Sequence, residues 1–118
     1  MITYIIPLEP VAATRPRVSR YSTYHTPKYQ AFLKEIRAYS FDSIHKEPVH
    51  IEIDLYCRKP KHSKLEYPRS DIDNYVKAVL DGVQPELILD DKQIVSLTAS
   101  KQFVNGPGYI EVSIESIL

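Results

Sequence analysis

The chain reads as an α/β protein of the α+β kind: one small mixed β-sheet of about four strands carrying two α-helices, in the order β-α-β-α-β-β. Three observations predict this. Residues 49 to 57, "VHIEIDLYC", alternate apolar and polar without a fault, the period of a half-buried strand. Two stretches, around residues 29–36 and 72–80, repeat apolar residues at i, i+3, i+4 and i+7, the period of a helix. Two further strand-like runs follow, separated by "NGPG", a strong turn signal. One sheet carrying two helices lets each apolar face find cover in 118 residues. A sheet this small is also expected to bury surface in a dimer.

Taken in order, "ITYII" at residues 2–6 has strand composition and stops at Pro7. Residues 9–26 contain Pro10 and Pro16 and no hydrophobic period, so they read as a long connection. Thr26 looks like an N-cap with Pro27 at the first helical position. The helix it opens buries Tyr29, Phe32, Leu33 and Ile36 and ends near residue 40. The strand 49–57 points Val49, Ile51, Ile53, Leu55 and Cys57 to the core. Residues 58–70, "RKPKHSKLEYPRS", hold five Lys/Arg, one histidine and two prolines and read as a basic, exposed loop. The second helix, 72–81, has Ile72, Tyr75, Val76, Val79 and Leu80 on its apolar face, with Gly82 placed as a C′ glycine. "QIVSLTAS" and "YIEVSIESI" are the last two strands. There is no repeat, no low-complexity tract and no sign of a second domain.

Composition narrows the function classes. No run approaches the ~18 apolar residues of a membrane helix, and the first ten residues do not read as a signal peptide. Cys57 is the lone cysteine, so an internal disulfide and a cysteine-rich zinc site are both excluded, which fits a cytoplasmic protein. Net charge is zero, but its distribution is uneven: residues 1–69 balance to +5 and residues 70–118 to −5. A basic surface beside an acidic site suits a polyanion held through a metal ion; chance sorting in a short chain explains the charges equally well. GxGxxG and GxxxxGK[ST] are absent, so no nucleotide cofactor is expected. His25, His45, His50 and His62 are scattered, with no HExxH, and read as surface or loop histidines. Tyr21, Tyr24 and Tyr29 are candidates to meet bases, but packing is the better reading for tyrosines in this chain.

The chemistry concentrates in "SDIDNYVKAVLDG", residues 70–82. Capping explains one acid at a helix start, and Asp73 would favour the positive end of the helix dipole. Asp73 and Lys77 also stand i, i+4, as a plain surface pair would. Yet Asp71, Asp73 and Asn74 offer more oxygen than a cap requires, and "LDD" supplies Asp90 and Asp91 before the third strand. Carboxylates at i and i+2 where extended chain becomes helix can reach one Mg²⁺, and a third from a separate strand would close the site. Such an ion would polarise a phosphodiester and activate a water. Both readings, capping and metal, stand on spacing alone.

"DIDNYVKAVLD" followed by "LDDKQIV" resembles the signature of the RusA family of crossover junction endodeoxyribonucleases, D-x-D-N-x-x-K-x-x-x-D and then D-D-x-Q-[IV]-V. The similarity extends to length, element order and the "RPR…TYHTPKY" approach to the first helix. It implies a homodimer that binds four-way (Holliday) DNA junctions and makes paired nicks with Mg²⁺, or Mn²⁺ as a substitute, leaving 5′-phosphate and 3′-hydroxyl ends in DNA recombination and repair. Carried over by motif, Asp71, Asp73 and Asp91 would be the metal-binding carboxylates and Lys77 the catalytic lysine. Asp90, Asn74 and Asp81 would act behind them. Arg69 would touch DNA, with Arg15, Arg17, Arg20, Lys61 and Lys64 as further DNA-binding candidates. The segment after the first strand is an arginine version, "EPVAATRPRVSR", where some members carry an asparagine-rich turn. Two other readings keep part of this: a nuclease of flaps, forks or other branched DNA, and a junction-binding module without catalysis.

Overall fold

In the computed structural model, residues 1–14, 17–18 and 23–118 are described, residues 17–18 and 23–24 by their backbone only. Strand β1 (Ile2–Ile6) is followed by a two-residue ribbon, β2 (Arg17–Val18) against β3 (Thr23–Tyr24). Then come helix α1 (Pro27–Arg37), strand β4 (Val49–Arg58), helix α2 (Ile72–Gly82), a 3₁₀ turn (Asp91–Gln93), strand β5 (Ile94–Val104) and strand β6 (Tyr109–Ser116). The expected order is present, with the short ribbon added inside the stretch that its prolines mark as a connection.

The four long strands make one mixed sheet in the order β1-β6-β4-β5. β4 lies parallel to β5 and antiparallel to β6, and β1 is antiparallel to β6. The parallel pair follows from the crossover: α2 carries the chain from the C-terminal end of β4 back to the start of β5, so the two strands must run the same way. The "NGPG" turn is real, with Gly106 at φ +104°, but it does not close a hairpin. β5 and β6 are not neighbours. The link crosses the end of β4, which takes a central position and is paired along both edges.

β4 keeps the alternation its sequence shows: Val49, Ile51, Ile53, Leu55 and Cys57 are buried, and the residues between them are half-buried. Tyr29, Phe32 and Ile36 of α1, Tyr75, Val76, Ala78 and Val79 of α2, and Ile110, Val112 and Ile114 of β6 join them in one core. Three expectations shift. Helix α1 ends at Arg37 rather than near residue 40. Ile72, placed on the apolar face by spacing, is 37% exposed, in a first turn where Asp71 and Asp73 are exposed as well. Gly82 is the last helical residue rather than a left-handed C′ glycine. A Cβ there would collide with the Ile36 side chain, so it is the small residue that lets α1 and α2 approach.

Candidate active site

Asp71 occupies the N-cap position of α2 with extended backbone, φ −65° and ψ 140°, yet its side chain makes no capping hydrogen bond. The first-turn amides are served otherwise: Asp71 O accepts from Asn74 N at 3.1 Å and from Tyr75 N at 3.3 Å, and Asp73 Oδ1 accepts from Asn74 N at 3.0 Å. Both aspartates are exposed. Two carboxylates two residues apart therefore stand at the positive end of a helix, and the Asp71 carboxylate is not engaged in capping. Asn74 acts through its backbone, its carbonyl accepting from Ala13 N at 2.8 Å, which ties the 11–14 segment to the start of α2.

Lys77 is turned down the helix, not up. Its Nζ lies 3.8 Å from Asp81 Oδ2, and the pair is largely exposed, so it adds at most a few tenths of a kcal/mol. The i, i+4 partner of Lys77 is thus Asp81, where spacing alone offers Asp73 equally. Asp81 also accepts from the Tyr29 hydroxyl at 2.9 Å. Burial, and then this bond to a carboxylate, push the Tyr29 phenol well above its ordinary range. Asp81 links the two helices and gives the Lys77 ammonium a resting position.

The loop before Asp71 is held by a residue that spacing alone passes over. Lys101 Nζ donates to Pro68 O at 2.9 Å and Ser70 O at 2.7 Å, and sits 5.5 Å from the Tyr67 ring centroid. The signal was present in the sequence: β5 places Leu97, Ala99, Lys101 and Phe103 in register with the buried side of β4, so Lys101 is a lone cation on a core-facing track. Around the loop a cleft of about 690 Å³ opens, lined by Lys28, Arg58, Lys61, His62, Arg69 and Tyr75 among others. Arg69 and Tyr75 flank Asp71 in sequence, so this cationic cleft adjoins the aspartates. Lys64 lies on the same exposed loop but is not part of the cleft lining. Arg15, Arg20 and the side chain of Arg17 lie outside the described residues.

Asp90 and Asp91 are at the other end of β5. Asp90 caps the 3₁₀ turn: its Oδ1 accepts from Lys92 N at 2.9 Å, which holds the carboxyl below its usual range, with Asp91 contributing. Asp91 opens that turn and is exposed. Ser70 is pinned at Lys101, seven residues along β5 from Ile94, a separation of roughly 23 Å at strand rise. The expected convergence of Asp91 with Asp71 and Asp73 therefore does not occur within one chain. Among the described residues no group of three or more His, Cys, Asp or Glu stands close enough to hold a metal ion.

A family model described as "Endodeoxyribonuclease RusA" matches residues 7–115. The chain belongs to the RusA endodeoxyribonuclease family. It is also 30% identical over 131 residues to "Uncharacterized protein YqaN" of Bacillus subtilis (strain 168), a match spanning 92% of each chain. Membership of the RusA family makes the chain a DNA endonuclease of a family that acts on junction DNA. Among the described residues no helix is long and apolar enough to cross a membrane.

Proposed function

We propose that this RusA-family chain resolves four-way DNA junctions as a two-fold dimer, by paired Mg²⁺-dependent nicks that leave 5′-phosphate and 3′-hydroxyl ends. The observation that carries the reading is the pair of exposed carboxylates, Asp71 and Asp73, at the start of α2 beside a cationic cleft. Asp71, Asp73 and Asp91 are the oxygen ligands a divalent ion of this kind takes. When bound, the ion would polarise the scissile phosphate and lower the pKa of a water. The chain's own residues do the rest. Lys61 and Arg69 hold flanking phosphates, which sets the register of the strand. Lys77, leaving Asp81, offsets charge that builds on the departing oxygen.

Distance within one chain makes a second copy part of this proposal. β5 is an edge strand of eleven residues, paired among the described residues with β4 alone. Val95 and Leu97 on it are 61% and 45% exposed, an uncovered apolar stretch on an open edge. Two β5 strands that meet antiparallel about a two-fold axis set the start of one beside the end of the other. That brings Asp91 of one copy towards Asp71 and Asp73 of its mate, and it makes two sites, as paired nicking requires.

The test is a mixing experiment on a synthetic four-way junction with Mg²⁺. Asp73→Asn and Asp91→Asn homodimers should each fail to cut. Mixed and allowed to exchange, they should recover nicking of one strand, because the heterodimer holds one site with both changes and one with neither. Sites built within a single chain would stay dead in every combination. Wild type that cuts flaps or forks faster than four-way junctions would instead favour the wider branched-DNA reading.

A further inference from the structure

The structure assigns Gln93 a role that nothing in its side-chain chemistry advertises: it is the positioning residue for Asp91. This rests on the reading of Asp91 as a metal ligand. Gln93 ends the 3₁₀ turn that Asp91 begins, and its amide is fully engaged. Oε1 accepts from Leu89 N at 2.8 Å and Asp90 N at 3.0 Å. Nε2 donates to His45 O at 2.8 Å and Glu47 O at 3.0 Å. Four bonds are what a carboxamide with two acceptor sites and two donors can make.

These bonds join two segments far apart in sequence. The 45–47 strip, which leads into β4, is already zipped to the chain after α2 by His45 N donating to Leu87 O at 2.8 Å and by a bridge between His45 and Ile88. Gln93 extends the zip past the aspartates. Asp90 is occupied as the cap on Lys92 N, while Asp91, exposed at the start of the turn, sets its carboxyl beside that of Asp90 and caps nothing. A ligand on an exposed turn would sweep through many orientations. Fixing the turn to β4's entry removes that freedom before an ion or DNA arrives; partners bonded directly to a ligand typically contribute about 10–100-fold in metal affinity, and Gln93 acts to the same end through the backbone of the turn.

The experiment measures Mn²⁺ binding by electron paramagnetic resonance on the full-length protein, without DNA and well below its melting temperature. Gln93→Glu keeps the shape and both acceptor bonds but sets an oxygen against the His45 and Glu47 carbonyls. Gln93→Met removes all four bonds. Both variants should bind Mn²⁺ about 10–100-fold more weakly. Their junction affinity in metal-free buffer should stay within about twofold of wild type, since neither substitution removes a cation that could meet phosphate, and added Mg²⁺ should restore cutting. Folding of each is checked by circular dichroism. Wild-type Mn²⁺ affinity in Gln93→Glu, with weakened binding in Asp91→Asn, overturns the positioning role and leaves the proposed function standing. Wild-type affinity in Asp91→Asn itself overturns the reading of Asp91 as a ligand, and this inference with it.

Discussion

The two ends of β5 each steady a segment that carries carboxylates, one with a cation and the other with a neutral amide. At its C-terminal end Lys101 reaches back to Pro68 O and Ser70 O, steadying a loop rich in lysine and arginine beside Asp71 and Asp73. At its N-terminal end a neutral amide, Gln93, steadies a turn that carries Asp90 and Asp91. One end offers a cationic cleft and two carboxylates; the other offers a held carboxylate. Neither end is a complete site. A single strand thus keeps the two sets of carboxylates about 23 Å apart along its length, and in the proposed dimer a second copy would bring them together, tying cutting to assembly.

The comparison can be broken most severely at Lys101. Lys101→Met leaves two carbonyls without their charged donor, a loss of about 1.5–3 kcal/mol per bond at most. The expected outcome is a fall of about 2 kcal/mol in stability by urea unfolding. Cleavage should fall by at least about tenfold as the Asp71 loop loosens, since each 1.4 kcal/mol of lost positioning is a factor of ten. Unchanged cleavage would mean that the loop is held by its prolines alone.

A middle-sized effect separates the ends by charge. Lys61→Ala at the cleft should weaken junction binding uniformly and reduce its salt slope by about 1, as expected for one lost phosphate contact. Lys92→Ala, beside Asp91 and outside the cleft lining, should change the slope by less than that. Equal slopes for the two variants would show that DNA does not distinguish the ends.

The smallest effect lies in the strip that Gln93 grips. The Glu47 carboxyl is held below its usual range, first by its 3.0 Å bond with the His45 ring and then by the Glu47 and Lys46 backbone amides. A carboxyl with a depressed folded-state pKa lends stability that is present above its unfolded value and is lost as pH falls through the folded one. Wild type should therefore melt slightly above Glu47→Gln at pH 7, and the gap should close below about pH 4. A gap that stays constant from neutral to acid would remove the carboxylate from the account.

Much of this molecule could be read in its sequence because the signals are local. A period of 2 marks β4 and a period of 3.6 marks both helices, and each needs only a residue's near neighbours. Residue chemistry at "DIDN" and "LDD" likewise names the oxygen-rich positions without a fold. Asp71 shows the limit: spacing offers capping or chemistry, and only the extended N-cap geometry with no side-chain bond frees it from capping. Lys101 and Gln93 mark the same limit, since their partners lie 31 and 48 residues away in the chain.

What the sequence by itself determined is the set of elements, their buried faces, and the family to which the motif pair belongs. Only the tertiary structure decided the strand order β1-β6-β4-β5, the refusal of β5 and β6 to pair, and the separation of Asp91 from Asp71 and Asp73. The physical reason is that the crossover through α2 reverses the chain twice: it returns the polypeptide to the start of β5 and then sends it along the whole strand beside β4. Residues on either side of that crossover are close in sequence and held at opposite ends in space.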